Sequence, residues 1–558
     1  MIRKFAITAT AVSTLLLGAL VVGVTSSASV PKARILTEEG NVGVTFTNNF
    51  NPFDGNSFSA HMSVKSLTYE PLMEFDSLKA NTQYPWLALG YSWSNGGKTL
   101  TFMLRHGVKW SDGKPFTAAD VAYTFNLIET NPAANYSGVP AMANAATAVG
   151  NYEVRLEFAQ PAYQEITAIA GSTLIVPAHL WTRVSNPATA TITKPVGTGP
   201  YVLKHYSSTL VEYAANPHYW GGKPAATQVN IPSYSSNAAA TTALANGQLD
   251  WAGNDIANIK SVFVDKNPRT NHYYFAPGNT VGLFFNVTGT GPLSDPQVRA
   301  AISAGIDRTA LGVEGESGYE LPATSSSGLI LPNQAAYLSP STTNDLSPTS
   351  DGAKVASILS ADGYTKDSSG FYAKGGNEIK FSIEDPTAYS DYYADAQLIS
   401  NELQAVGIDA TVDGVQASQW YSDLAAGTFQ SAIHWGSGGA SPFVQYQNWL
   451  DYNTFVAPSP TNAPGGDFGR YNSPAAEAAL KTLEVTNPAN VSAVKSAVQA
   501  LGNIMTTQVP VAPLLYGADW NVYSTAHFTG WVTAKNPYMD PSPSDPELPY
   551  ILMKLKAA

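Results

Sequence analysis

A predicted β-hairpin within residues 67–126 constrains the fold of this chain more than any other feature. Residues 91–93 and 99–104 alternate in side-chain polarity, as strands with one buried face do. Asn95-Gly96-Gly97 lies between them, and this sequence is typical of a tight hairpin turn because glycine accepts positive φ angles. The pattern predicts two antiparallel strands near the start of a folded domain.

A helix start follows the hairpin. Thr117 is a good N-cap residue, and Asp120 stands at the third helical position, where its carboxylate completes a capping box. Val121 and Phe125 then give the predicted helix an apolar side. The physical reasoning alone therefore predicts an α/β segment.

Short motifs in this stretch carry a family resemblance. They occur in order and at tight spacing: Tyr69-Glu70-Pro71-Leu72, Pro85-Trp86-Leu87-Ala88, Leu104-Arg105-His106-Gly107-Val108-Lys109-Trp110 and Asp112-Gly113-Lys114-Pro115-Phe116-Thr117. Together they resemble the extracytoplasmic solute-binding proteins of ABC importers, in the family with oligopeptide-, dipeptide- and nickel-binding members. The resemblance implies an α/β, two-lobed periplasmic-binding-protein fold of type II with an inserted subdomain in lobe one.

The same resemblance divides the chain into segments. It implies that residues 30–67, 195–277 and 514–558 form lobe I, that residues 68–194 are its inserted subdomain, and that residues 278–513 form lobe II. Such proteins close on a ligand by a hinge motion and dock on permease subunits. We expect a monomer without a cofactor.

Composition excludes several classes of function. The chain has 558 residues and 44% hydrophobic residues, enough for more than one core. A net charge of -12 without any basic run argues against nucleic acid, whose phosphates require clustered lysine and arginine. We interpret the acidic balance as a contribution to solubility rather than as a ligand site. The chain has no cysteine, which excludes disulfides, thiolate chemistry and a lipoprotein anchor.

The N-terminal segment resembles a secretory signal peptide. Arg3 and Lys4 precede an apolar run at residues 11–24, and small residues at 26–29 suit cleavage. We predict a signal peptide at residues 1–29 and a periplasmic or cell-surface protein. The alternative is that the segment is retained as a membrane anchor.

Three further segments carry expectations about strands, ligand contacts and an ion pair. Residues 43–48 alternate as a strand and lead into Asn51 and Phe53, in a run similar to that of cello- and chito-oligosaccharide-binding members. Asn286 lies near the end of an apolar strand. Arg299, in a predicted helix, is expected to pair with a nearby acid. The resemblance makes the two asparagines and Phe53 candidate ligand contacts.

Catalytic signals are weak. The eight histidines show no pair at metal-ligand spacing, and no Gly-x-Ser-x-Gly motif occurs. We therefore predict neither a catalytic residue nor a metal site. A pair of glycosidase carboxylates assembled in space stays open, so a secreted glycoside hydrolase is an alternative function. A peptide-sensing or scaffold protein is another.

The ligand class depends on a glycine-rich loop after the predicted strand at residues 430–435. Peptide-binding members carry an aspartate there that holds the peptide's ammonium group, whereas this chain has Gly438 or Gly439. A buried ammonium without a counter-charge is costly, so the glycines favour a neutral ligand rich in hydroxyls. Trp435, Ser437 and Gly438 are candidate contacts.

A second loop near the C-terminus points to the same ligand. The Gly530-Trp531 run leading to Tyr538 resembles that of oligosaccharide-binding members. Sugars present flat C–H faces that pack on aromatic rings. We predict ligand contact for Trp435, Trp531 and Tyr538; the alternative is that both tryptophans are core residues. An oligosaccharide is favoured over an oligopeptide.

Overall fold

Strands and helices alternate along the residues that the computed structural model describes, which are 34–39, 42–55, 57, 65–79, 82–436, 439, 441–452 and 466–558. The fold has two lobes, which we define by their sheets. The first lobe contains the N- and C-terminal segments, and the second is built on a six-stranded sheet.

The predicted hairpin lies in an antiparallel four-stranded sheet. Its strands, in spatial order, are Ala88–Ser94, Thr99–Leu104, Glu153–Phe158 and Met142–Val149. Gly96 and Gly97 have positive φ angles at the turn, as the sequence predicted. The helix Ala118–Thr130 begins with the predicted capping box between Thr117 and Asp120. One core, with members from Phe53 to Ala188, fills the space beneath this sheet.

The rest of the first lobe uses strands that are distant in the chain. A four-stranded sheet has the order Ile35–Thr37, Gln228–Pro232, Leu210–Ala215, Tyr201–Ser207, and a three-stranded sheet has the order Trp251–Ala252, Val522–Ser524, Asn271–Tyr273. Trp251, Tyr523 and the C-terminal helix Leu548–Lys554 share a core with the four-stranded sheet. Segments from the beginning and from the end of the described chain therefore share one lobe.

The second lobe is organised by a mixed sheet. Its order is Leu321–Pro322, Val511–Asp519, Ala276–Phe285, Ser431–Trp435, Lys380–Pro386, Asp409–Val415. Lys380–Pro386 is parallel to both of its neighbours. Small sheets complete the described strands: Met73–Phe75 with Gln83–Pro85, Phe528–Thr529 with Lys556–Ala557, and Thr365–Lys366 with Tyr372–Lys374 and Asn377–Glu378.

Helices cover the sheets and form a further core of their own. The remaining helices are Lys65–Thr68, Ala178–Trp181, Asn237–Ala245, Ile259–Val262, Pro296–Gly305, Arg308–Ala310, Gly352–Ala361, Ser390–Val406, Ala417–Ala426, Pro442–Leu450, Pro474–Glu484 and Val491–Gln508. The last three pack together around Tyr446, Trp449 and Leu501.

Two long strands carry the chain between the lobes. Ala276–Phe285 and Val511–Asp519 pair antiparallel along almost their whole lengths, with irregularities near Asn279 and Gly282. Val281 and Leu514 lie in the core of the second lobe, whereas Tyr274, just before the first strand, packs against the core of the first. The positions of the predicted domain boundaries at residues 277 and 513 fall within this pair and stay predictions.

Two local expectations are wrong. Residues 43–48 do not form a strand, because side chains occupy their carbonyl groups: Ser233 Oγ donates to Val44 O at 2.9 Å and Tyr206 Oη donates to Phe46 O at 2.7 Å. Arg299 has no acidic partner among the described residues. Its guanidinium instead donates to the carbonyl oxygens of Leu293, Gln508 and Val509, which ties its helix to the C-terminal end of the helix Val491–Gln508.

No helix in the described parts of the chain is both long and apolar enough to span a bilayer. The predicted signal peptide at residues 1–29 lies outside the described residues.

Candidate functional site

A cavity of ≈640 Å³ lies where the two lobes and the crossing strands meet. The first lobe contributes Glu39, Asn237 and Asp255; the second contributes Tyr392 and Trp435. Gly278, Asn279, Ala518 and Asp519 of the crossing strands form part of its wall. This volume is in the range of protein ligand sites, and its place between lobes is where such sites commonly occur.

Aromatic rings make up one part of the wall. Trp435, at the end of the strand Ser431–Trp435, is half-buried and lies beside Tyr392, with ring centroids 6.2 Å apart and planes tilted by 28°. Tyr389, Tyr421 and Trp520 also line the cavity. These rings offer a flat apolar surface on which a ligand can stack.

His434 supports Trp435 from the same strand. Its ring stacks on Trp420, with centroids 5.0 Å apart, and its Nδ1 contacts the carbonyl oxygen of Trp435. Burial lowers the pKa of His434 to about 4, so the imidazole is neutral near pH 7. It therefore adds no positive charge to the cavity.

Carboxylates dominate the polar part of the wall. Seven line the cavity: Glu39, Asp255, Asp391, Asp519, Asp540, Asp545 and Glu547. No lysine or arginine side chain lines it within the described part of the chain. The sequence interpretation assigned the acidic balance to solubility, whereas these seven acids share one mostly buried surface.

Several acceptor atoms on this wall have no donor among the described residues. They are Asn254 Oδ1, Asp255 Oδ1, Asn279 Oδ1, Asp519 Oδ2 and Glu547 Oε2. The protein satisfies oxygens of two other carboxylates on the wall: Gly253 N donates to Glu39 Oε2 at 3.0 Å, and Ser77 Oγ donates to Asp540 Oδ2 at 2.5 Å. Buried acceptors without donors are costly, so the wall is suited to a ligand that supplies donors.

Burial and mutual repulsion control the ionisation of these groups. Burial is the main cause that raises the pKa of Asp255 to about 8, and the charge of Asp391 adds to it. Burial likewise raises the pKa of Glu39 to about 8 and that of Asp391 to about 6. Asp519, Asp545 and Glu547 also have pKa values well above the usual range, through burial and then through their acidic neighbours.

One subset of the carboxylates has the geometry of a possible cation site. Ligand atoms of Asp519, Asp540 and Asp545 all lie within 4.8 Å of one another. Oxygen atoms at such distances suit a hard cation such as Ca²⁺. A Cβ atom on Gly278 would lie 1.6 Å from Asp519 Oδ2, so only glycine leaves this carboxylate its place.

Of the residues that the sequence singled out, Trp435 lines the cavity. Ser437 and Gly438 lie outside the described residues. Gly439, the other residue that replaces the peptide-binding aspartate, is described and buried. The glycine-rich loop follows Trp435 directly, so its start at Gly436 also belongs to the cavity wall.

The other five candidate residues do not line this cavity, because the protein itself uses their side chains. Asn51 Nδ2 donates to Pro187 O and Ala190 O, and Asn286 Nδ2 donates to Gly427 O and Phe429 O. Phe53 packs edge-on against Trp181, 5.1 Å away between ring centroids, in a hydrophobic core. These contacts hold loops in place.

Trp531 is buried in the first lobe, and the half-buried Tyr538 packs against the same core. Trp531 is 4% exposed, stacks on Tyr523 and donates from Nε1 to Phe528 O at 2.9 Å. Tyr538 Oη donates to Gly530 O at 2.9 Å. The structure thus places Trp531 in the core, as the alternative interpretation of its sequence position expects.

Sequence reasoning missed the carboxylates. They come from segments far apart in the chain, and no motif connects them. The one local signal is the run from Asp540 to Glu547, in which three acids alternate with prolines and serines. Such a run cannot form regular structure, and it could have been recognised as a loop that carries functional groups.

Comparisons with known proteins agree with this architecture. A sequence profile of "bacterial extracellular solute-binding proteins, family 5 Middle" matches residues 82–457. Protein XP55 of Streptomyces lividans is 30% identical over 58% of this chain, and the chain spans 57% of that protein's length. The nickel-binding periplasmic protein of Escherichia coli K12 is 25% identical, over 67% of this chain and 71% of its own length.

A solved structure resembles nearly the whole described fold. It is the mannohexaose-bound periplasmic oligopeptide-binding protein of an oligopeptide ABC transporter from Thermotoga maritima, which is 26% identical to this chain. The TM-score is 0.85, and the match covers 94% of this chain and 99% of the other.

Proposed function

From the premise that this chain belongs to family 5 of the bacterial extracellular solute-binding proteins, we propose that it captures an oligosaccharide between its lobes and delivers it to the permease of an ABC importer. It is a substrate-binding protein of this importer family, and its relatives are solute-binding proteins rather than enzymes.

The observation that carries the proposal is the composition of the cavity wall. Aromatic rings, among them Trp435 and Trp520, lie on the same cavity as acceptor atoms that lack donors. A sugar supplies both complements: flat C–H faces for the rings and many hydroxyl donors for the acceptors. A free peptide also brings a carboxylate, for which the described wall offers no lysine or arginine.

The Thermotoga protein supports the same ligand class. At 26% identity and a TM-score of 0.85 it has this fold, and although it is named oligopeptide-binding, its structure contains mannohexaose. A family member named for peptides can thus hold a sugar, so the name of a relative does not decide the ligand.

Hinge closure provides the mechanism. The cavity is lined by both lobes and by the paired strands Ala276–Phe285 and Val511–Asp519 that connect them. A ligand that contacts both lobes binds the closed state more tightly than the open one, and this difference drives closure. The closed form is then the one that docks on the permease.

An oligopeptide is the second candidate, and one observation favours it. The argument from the missing aspartate at Gly438 assumed that no other residue could hold a peptide's ammonium group. Asp255 and Asp391 line the cavity and could do so. The glycine loop therefore does not separate the two ligand classes by itself.

Fluorescence titration tests the proposal. Trp435 and Trp520 line the cavity, so a ligand that fills it should change the tryptophan emission. We expect saturable changes with oligosaccharides such as cello- and chito-oligomers and none with peptides of similar length. Saturable binding to peptides only would refute the sugar assignment. Analysis of the same sugar mixtures for shortened products tests the alternative of a glycoside hydrolase.

A further inference from the structure

We propose that the ligand is a cationic amino-oligosaccharide, such as a glucosamine oligomer, whose ammonium groups pair with the carboxylates of the cavity wall. The inference rests on the proposed function, because it assigns a charge to the sugar that the cavity takes. It revises the expectation of a neutral ligand.

The charge of the wall is the first observation. Seven carboxylates line the cavity, and the described lining contains no lysine or arginine. In the described parts of the chain, none of the seven forms an ion pair with a basic side chain: every ion pair found there involves other acids. His434, the histidine on the wall, is neutral near pH 7. Such a surface offers no basic side chain to stabilise the ionised form of its carboxylates.

The unsatisfied oxygens are the second observation. Asp255 Oδ1, Asp519 Oδ2 and Glu547 Oε2 are buried acceptors without a donor in the described residues. A hydroxyl satisfies such an acceptor but does little to stabilise the ionised form of the carboxylate. An ammonium group supplies up to three donors together with a positive charge, so it satisfies both needs of a buried carboxylate.

The two lobes share this charge. Asp255 follows the strand Trp251–Ala252 of the first lobe, and Asp391 lies in the first turn of the helix Ser390–Val406 of the second. The two carboxylates repel each other when both are ionised, which contributes to the raised pKa of Asp255. Backbone N–H groups donate to both carboxylates, and Asn237 Nδ2 lies 3.5 Å from Asp391, but none of these donors carries a positive charge. A cation between the lobes replaces this repulsion by attraction to both, and it therefore favours closure.

The acids behind the wall strengthen the argument. Glu316 and Glu320 lie near Asp255 and Asp391, in the segment between the helix Arg308–Ala310 and the strand Leu321–Pro322. Both are buried acids. Glu38 stands next to Glu39. Asp255 and Asp391 therefore lie among other acids, and the described lining brings no lysine or arginine to compete with a cationic ligand.

Proton release is a signature that a neutral sugar does not share. Burial raises the pKa values of Glu39 and Asp255 to about 8, with a further contribution from Asp391 at Asp255, so both groups are largely protonated near pH 7 without ligand. An adjacent ammonium group favours the ionised carboxylate and lowers these pKa values. Binding of a cationic ligand then releases protons into the buffer.

The experiment compares three sugars of equal length that differ at one position of each ring. Glucosamine oligomers carry an ammonium group there, N-acetylglucosamine oligomers a neutral amide, and cello-oligomers a hydroxyl. Each is titrated calorimetrically near neutral pH in two buffers of different ionisation enthalpy, with and without a chelator. We expect the glucosamine oligomer to bind at least about tenfold more tightly than both neutral sugars, which is about 1.4 kcal/mol. Its binding should release protons and weaken with added salt.

Charge variants locate the effect. Asp255→Asn and Asp391→Asn should each reduce the ratio of affinities between the glucosamine oligomer and its N-acetylated counterpart. Asp413→Asn serves as the matched control, because Asp413 is an exposed carboxylate of the second lobe that does not line the cavity. The control should leave both the ratio and the proton release unchanged.

Each other outcome overturns a different statement. Equal or tighter binding of the neutral sugars refutes the cationic ligand and leaves the proposed function standing. Binding of lysine-containing peptides but of no oligosaccharide refutes both. If the chelator abolishes sugar binding and Ca²⁺ restores it, the carboxylates at Asp519, Asp540 and Asp545 hold a metal ion, and the ammonium pairing is refuted.

Discussion

Replacing Trp531 with alanine should destabilise the first lobe without weakening the ligand affinity of the folded protein. The indole is 4% exposed, packs edge-on against Trp251 at 5.2 Å and stacks on Tyr523 at the same distance. Truncation of a buried tryptophan costs about 3–5 kcal/mol. The change also leaves the carbonyl group of Phe528 without its donor, so we expect a loss near the upper end of this range.

The matched variant is Trp435→Ala. This tryptophan is half-buried and lines the cavity, so its removal should cost less stability, about 1–3 kcal/mol, and at least about 2 kcal/mol of binding energy as an aromatic anchor. Urea unfolding gives the stability of each variant, and calorimetric titration with the best sugar gives the affinity. Trp531→Phe is a control that keeps part of the packing.

The comparison can refute the assignment directly. If Trp531→Ala unfolds at the same urea concentration as the unchanged protein but loses ligand affinity, then Trp531 contacts the ligand and its assignment as a core residue is refuted. If Trp435→Ala keeps full affinity but loses several kcal/mol of stability, Trp435 belongs to the core. The second result would remove Trp435 from the aromatic wall on which the proposed function rests.

Three further predictions follow from the site and the fold. The pKa of Asp255 rises from its ordinary value near 4 to about 8 in the folded protein, so the unfolded state loses its proton first and the free energy of unfolding should fall as the pH rises from about 4 to about 8. Asp255→Asn should make the thermal unfolding temperature less dependent on pH in this range, and an unchanged pH dependence would contradict this prediction. Gly278→Ala should weaken sugar binding, because the new methyl group would meet Asp519 Oδ2 at 1.6 Å and disrupt the cavity. Gly90→Ala is the control, since a methyl group there meets nothing within 4 Å. Equal sugar affinity in both variants would argue against the close approach of Gly278 to Asp519. Thr117→Ala should cost about 1 kcal/mol by removing the capping box, with Thr117→Ser nearly neutral in urea unfolding, and a neutral alanine variant would show that the cap is dispensable.

Local chemistry made parts of the fold predictable from the sequence. The turn at Asn95-Gly96-Gly97 requires positive φ angles that glycine accepts, and the cap at Thr117 is satisfied by a residue three positions away. Both depend on neighbours in the chain. The strand expected at residues 43–48 failed because Ser233 and Tyr206, which are distant in sequence, take its carbonyl groups. Arg299 failed for the same reason, since its partners are the carbonyl groups of residues 293, 508 and 509.

The candidate site shows the same limit more sharply. Trp435 and Trp531 both precede loops, and nothing local distinguishes an indole that lines a cavity from one that packs on Trp251 and Tyr523. The distinction depends on which segment covers each ring, and this is a property of the tertiary fold.

Charge in a ligand cavity is even less local. The loss of one aspartate near Gly438 seemed to remove the counter-charge for an ammonium group. The structure assembles seven carboxylates on the same wall from the segments around residues 39, 255, 391, 519 and 540–547. A motif argument tests one position, whereas a bound charge responds to every group within several ångströms, from any part of the chain. The absence of a family's charged residue is therefore evidence about a ligand only together with the other residues of the wall, and here the described wall favours a donor-rich ligand with positive charge.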